Sequence, residues 1–375
     1  MRRFPLHLFF PVLALALSSG CSSTAGPADL VKFQQSAELH ELWSVSVGGA
    51  KNYVFQPIVV DESVYAAEAG GDVVRIDGGK KKWVTDTKVK LSAGVGCDGE
   101  IVAVAGEKGE IIALDAETGS EKWRVNAGVE ILAPPAVGGG VVVLRASDHR
   151  LLGLETKHGQ HRWLYQRNMP PLALRSHSGV LIVENQVALA GFPGGKLVAV
   201  SLEHGGNLWE LSVSRPRGAT ELERVSDVAG VPVLGRNEVC AVTYQGRVAC
   251  FDMGNGNTLW TRDFSSYVGM DRDNRFALLV DERDSVQALD VYSGITAWRQ
   301  DAMTRRRLTR PRIIDDFVVL GDGEGYVHVL GYEDGVFVAR DRADNSAILA
   351  DPLPLGDGFV VQSIDGDVVA YELRR

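Results

Sequence analysis

The seven tryptophans of this 375-residue chain stand at positions 43, 83, 123, 163, 209, 260 and 298. The first three intervals are 40 residues each, and the remaining ones are 46, 51 and 38. A period of that length means a repeat architecture, in which each copy buries its faces only against its neighbours. The text before the tryptophans repeats too. GEIIALDAETGSEKW (109–123) and GRVACFDMGNGNTLW (246–260) both carry glycine ten residues after the first letter and tryptophan fourteen after it, as do the copies opening at 149, 195 and 284. A shorter copy opens at Gly71, a copy without its tryptophan at Gly325, and a last one at Gly366 runs into the C-terminus. That makes eight openings, and eight closing positions if the segment around Trp43 completes the copy begun at Gly366.

Each copy reads as four short strands separated by glycine turns, the signature of an all-β chain. Four strands per repeat and a period near 40 suit the blade of a propeller. The expected fold is therefore all-β, an eight-bladed β-propeller closed by pairing of its N- and C-terminal strands. Residues 41–47 would complete the blade made by the C-terminal strands, so that neither end leaves an open sheet edge. The tryptophans are expected to fill the wedges between adjacent blades, where their large apolar area is most useful.

Ahead of the repeats, Arg2 and Arg3 precede the apolar run Phe4 to Leu17, and Ser18, Ser19 and Gly20 lead into Cys21. This reads as a bacterial export signal. The Gly20-Cys21 junction resembles a lipobox, so Cys21 is the expected lipidation site and the first residue of the mature chain. Ser22 after it looks like the pattern of lipoproteins sorted to the outer membrane. The expected division is a signal peptide at 1–20, a lipidated flexible tether at 21–40 and the propeller at 41–375. Formal charge is −9, and losing Arg2 and Arg3 with the leader makes it more negative. An acidic chain of this kind is a poor partner for nucleic acid.

The tripeptide Ala113-Leu114-Asp115 followed by Thr118-Gly119 and Trp123 resembles the repeat of pyrroloquinoline-quinone (PQQ) dehydrogenases. That resemblance implies a quinone-dependent oxidoreductase as the alternative reading. The chain has no Cys-Cys pair and no Cys-x-x-Cys-His, the features that accompany cofactor and haem in those enzymes, so no cofactor is expected. Leader, lipobox, tether and eight repeats together resemble the BamB family, lipoproteins of the outer-membrane β-barrel assembly machinery. The most specific stretches are Met169 to Arg175 and Ala219 to Val228. The resemblance implies a non-enzymatic scaffold that binds the periplasmic POTRA domains of a BamA-like protein and assists unfolded outer-membrane proteins. It also implies that Leu172, Leu174, Arg175 and Asp227 are contact residues, while Ala229 stands where the family often carries an acid.

Spacing marks the same place independently. From closing tryptophan to next opening there are 26 residues after Trp83 and Trp123, but 32 after Trp163 and 37 after Trp209. The extra length falls in two consecutive linkers between blades, which emerge on one face of a propeller. Loops on a rigid scaffold are where binding concentrates. Leu172 and Leu174 alternate with Ala173, so an extended segment points both leucines the same way. Arg175 offers a fork of donors, and Asp227 either orients it or meets a base of the partner.

Other groups suggest plainer readings. His158 and His161 straddle a turn with no further ligand and are expected in solvent; no metal is expected. Asp271 to Asp273 and Asp281 to Asp284 read as surface charge. Arg305, Arg306, Arg307, Arg310 and Arg312 form a basic cluster in another linker, expected as a solvated loop, with an acidic partner surface as the alternative. Cys240 and Cys250 occupy small-residue packing slots and are expected as two buried thiols, with a cross-strand disulfide as the other possibility.

Overall fold

A computed structural model of the chain describes residues 26–174 and 178–374; the leader, Cys21 and Arg175 lie outside them. The described residues form eight antiparallel sheets of four strands each. Blade 1 spans residues 58–86, blade 2 91–126, blade 3 136–165, blade 4 180–212, blade 5 228–264, blade 6 270–300 and blade 7 312–342. Blade 8 takes its three inner strands from residues 353–374 and its outer strand, Glu38–Ser46, from the other end of the chain. In that closure Trp43 faces Ala370 and Val45 faces Val368. The closing strand begins three residues before the expected 41–47 and ends one residue short of it.

The recurrent glycine and tryptophan meet across blades. Gly119 of blade 2 lies under Trp83 of blade 1, at a positive φ of 71°, and a Cβ there would come within 2.6 Å of the indole. Gly159, Gly205, Gly294 and Gly335 hold the same place beneath Trp123, Trp163, Trp260 and Trp298. Only glycine offers both that backbone conformation and that bare surface. The indole nitrogens then donate to carbonyls of the next blade, Trp123 to Thr156 at 2.7 Å and Trp260 to Val291 at 2.7 Å. Each repeat thus carries the plug for one wedge and the seat for another. Where blade 7 has Ala339 in place of tryptophan, buried Tyr371 and Phe359, 5.6 Å apart, fill the space toward blade 8.

Strands alternate in direction, so the linkers between blades and the turns between second and third strands share one face. The third-to-fourth turns lie on the other. Cys240 and Cys250 sit directly opposite one another on neighbouring strands of blade 5. They are joined as a disulfide with Cα atoms 4.1 Å apart, which corrects the expectation of two thiols: an in-register pair on one face already has its Cβ atoms within bridging reach. Cys97 remains a buried free thiol, pushed up to about 11 by burial.

The arginine cluster at 305–312 is a solvated loop only at Arg305 and Arg307, which are exposed; the other three turn inward. Arg306 is 2% exposed, with Nε on Asp322 at 2.7 Å, one terminal nitrogen on Glu324 at 2.6 Å and the other on the Ala28 carbonyl at 2.8 Å. Arg310 pairs with Asp351 at 3.0 Å and Arg312 with Asp271 at 3.6 Å. The acidic runs are drawn inward only in part: Glu282 stays exposed, and Asp271, Asp273 and Asp281 are half-buried. Buried Asp284 accepts from the amides of Arg307 and Leu308, and the Arg272 side chain is covered where it pairs with Glu238. Their partners come from other blades, which a local charge pattern cannot reveal. His158 and His161 are exposed.

The segment expected as a flexible tether is also engaged. Residues 26–37 run from the linker between blades 6 and 7 down the outer edge of blade 7. The Ala28 amide donates to Thr304 and the Ser36 amide to Val338, and Arg340 donates to the Val31 carbonyl at 2.9 Å. Phe33 stacks on Phe337 with ring centres 5.1 Å apart, under the Arg340 guanidinium.

Candidate functional site

The two longest linkers, residues 166–179 and 213–227, flank blade 4 on the linker face. One side chain ties them together. Asp227 is 3% exposed, and its carboxylate accepts from the Leu174 amide at 2.6 Å and from the Gly194 amide at 3.2 Å. The first bond fixes the neighbouring linker, and the second fixes the turn between the middle strands of blade 4. Burial pushes the Asp227 carboxyl above its ordinary value, with the two amide bonds and the charge of Arg145 pulling the other way. Asp227 therefore holds the first linker from beneath.

Beneath that linker lies a floor of aromatic and cationic groups. Phe192, fully buried, is flanked by the guanidinium of Arg145 at 5.4 Å and of Arg167 at 5.6 Å, with Tyr165 edge-on at 5.8 Å. Such cation–π contacts gain strength where water is excluded. Burial pulls Arg145 down to about 10, against the charge of Asp227. Arg167 and Lys196 both reach Glu210, at 3.2 and 2.8 Å.

Above this floor Leu172 stays 43% exposed, Ala173 is exposed and Leu174 is half-buried. Of the four expected contact residues, the structure brings Leu172, Leu174 and Asp227 to one place. Arg175 falls outside the described residues, and with it the expected pairing to Asp227.

The second linker carries a residue that the motif reading passed over. Thr220 to Arg224 make a single helical turn closed by a reciprocal cap: the Glu223 amide donates to Thr220 Oγ1 at 3.3 Å, and the Thr220 amide to Glu223 Oε2 at 3.1 Å. That is a capping box, and its Thr-x-x-Glu spacing is legible in the sequence. The turn presents Leu222 at 73% exposure. Val225, Ser226 and Asp227 then re-enter the fold and are buried. A cavity of about 280 Å³ opens next to the start of this linker, with Arg215, Arg217 and Arg247 in its wall. Exposed leucines beside exposed arginines, carried on loops braced from below, form a surface suited to a protein partner with an apolar anchor point and acidic surroundings.

Comparison with known proteins bears on the family of the whole chain. Residues 69–300 match the family model described as outer membrane protein assembly factor BamB. The protein of that name from Burkholderia pseudomallei is 39% identical over 367 residues, covering 96% of each chain. The one from Pseudomonas aeruginosa is 43% identical over 373 residues, covering 97% of this chain and 98% of its own. Among solved structures, BamB from Moraxella catarrhalis superposes with a TM-score of 0.83 at 25% identity, covering 89% of this chain and 99% of that one. With eight closed blades and relatives matched over nearly their whole length, this chain belongs to the BamB family.

Proposed function

We propose that this protein is a non-enzymatic scaffold subunit of an outer-membrane β-barrel assembly complex, anchored through a lipid on Cys21 to the periplasmic side of the outer membrane. It binds the periplasmic POTRA domains of a BamA-like protein and so assists folding and insertion of outer-membrane proteins. Leu172 and Leu174 supply the apolar anchor, Arg175 a charged contact, and Asp227 positions them. The observation that carries this reading is the Asp227 carboxylate: a buried acid spent on the Leu174 amide keeps a leucine-bearing loop in place at the surface.

The test is titration of the full chain with isolated POTRA domains. Leu172→Ala with Leu174→Ala, and separately Arg175→Glu, should weaken binding at least about tenfold, since central anchors commonly cost about 2 kcal/mol on truncation and a tenfold change is about 1.4 kcal/mol. Folded variants that bind as tightly as the parent defeat the assignment. Mass spectrometry of the mature N-terminus checks the anchor, with an unmodified Cys21 as the contrary result.

A further inference from the structure

The described chain begins at a defined point on the propeller. Gly26 lies on the linker face, at the boundary of blades 6 and 7, where Arg305 Nε donates to its carbonyl at 2.8 Å. Further along, guanidinium groups grip the backbone at Ala28 and Val31, and the Phe33 ring packs against Phe337 with Arg340 over both rings. The grips are themselves fixed from below. Arg306 is locked to Asp322, and Arg340 Nε donates to His328 Nδ1 at 3.1 Å, while His328 Nε2 meets Asp322 at 2.8 Å. Residues 26–37 therefore form a strap latched onto a buried ionic network, and the strap starts, at Gly26, on the linker face.

Cys21 precedes Gly26 by only five residues. A chain reaches at most about 3.3–3.6 Å per residue, so a lipid on Cys21 lies within about 18 Å of that rim. Beside the exit is a cavity of about 480 Å³ lined by the exposed Arg283, Arg299 and Arg305 together with Glu282 and Asp301, the last paired with Arg299 at 2.6 Å, so that arginine outnumbers acid by three to two. From strap and reach together we propose that the rim of blades 6 and 7 on the linker face rests against a phosphate-bearing lipid surface. The same face carries the candidate partner loops at 166–179 and 213–227. A partner bound there is consequently held between the propeller and the bilayer. This inference rests on lipidation of Cys21.

The test uses the full lipidated chain in phospholipid vesicles with a headgroup quencher. One fluorophore goes on Arg283→Cys, on the linker face of blade 6. Another goes on Tyr292→Cys, in the exposed turn on its opposite face, about 20 Å away across the strands. Quenching should be strong at 283 and weak at 292, and the contrast should collapse in Phe33→Ala/Gln35→Ala, which removes the ring stacked on Phe337 and the Gln35 Nε2 donor to the Arg340 carbonyl at 3.5 Å while leaving every strand residue in place. Hydrogen exchange should show the Ala28 and Ser36 amides protected in the parent and unprotected in that double variant. Equal quenching at both positions in vesicle-bound parent overturns the orientation while leaving the anchor intact. Failure to enter vesicles overturns the anchor and the orientation together.

Discussion

The linkers 301–311 and 213–227 look alike in sequence, each long and rich in arginine on the same face of the ring, yet the structure uses them in opposite ways. In the first, Arg306 spends all three guanidinium nitrogens inside the protein, on Asp322, Glu324 and Ala28. In the second, Arg224 pairs with Glu221 at 3.3 Å with both side chains half-exposed, and the linker closes on its own capping box. The difference is where the complementary acid sits. An acid three residues away can only brace a surface turn, whereas an acid supplied by the next blade draws the arginine into the interior. The first linker latches structure; the second presents a side chain.

Cutting the two ion pairs should separate these roles most sharply. Arg306→Ala leaves the Asp322 carboxylate buried and short of a partner, and we expect a loss of about 3–5 kcal/mol in denaturant unfolding, the range for breaking one side of a buried pair. Arg224→Ala should cost about 0–1 kcal/mol, as exposed pairs do. Similar losses at both positions would dissolve the contrast.

The buried network should also respond to pH. Burial holds the His328 imidazole below its ordinary value against the pull of Asp322, and Arg340 and Arg306 press in the same direction as burial. Asp322 is itself held low: burial, the largest influence, pushes it up, but the bond and charge of His328 and the amides of Tyr326 and Glu324 together outweigh it. The unfolded chain therefore takes up the His328 proton first. The stabilisation is complete above about pH 6.5 and is lost as pH falls through the lower folded value. We expect the parent's unfolding midpoint to drop between pH 7 and 5, and the drop to be smaller in His328→Gln. An equal slope in both would remove His328 from the account.

At the other linker the expected effect is on binding. Leu222→Ala deletes a side chain already in solvent, so stability should stay within about 0.5 kcal/mol. Affinity for POTRA domains should fall by about tenfold or more if Leu222 is an anchor. Unchanged affinity would restrict the interface to the first linker.

The regular parts of this molecule were legible because their causes are local. Gly119 and Trp123 sit four residues apart in one copy and recur in the next, so the ring and its closure could be counted. The strap was not legible: residues 26–37 carry no alternation, and their grips, Arg305, Arg306 and Arg340, lie some 270 to 310 residues away. The place of the candidate site showed in the linker lengths, but the part played by Asp227 did not, because its partners are backbone amides of Leu174 and Gly194. Leu222 could have been found, since Thr220-Glu221-Leu222-Glu223 spells its own cap.

That cap allows the smallest and most local test. Thr220 Oγ1 accepts from the Glu223 amide, and the Glu223 carboxylate accepts from the amides of Ala219 and Thr220. Thr220→Ala removes one half of the box, which typically costs about 1 kcal/mol. The turn lies outside the blades, so this loss should fray the turn and leave global unfolding alone. The reporter is the Arg224 amide, which donates to the Thr220 carbonyl at 3.2 Å. Its hydrogen exchange should speed up by about fivefold, the factor that about 1 kcal/mol represents. A partner that grips Leu222 must then order the turn on binding, so affinity should fall by at most a similar factor, well short of the Leu222→Ala effect. Faster exchange with unchanged affinity would mean that the partner does not read this turn. Unchanged exchange would mean that the turn is held by the buried residues Val225 to Asp227 alone, and that the cap, though well formed, is not what presents the leucine.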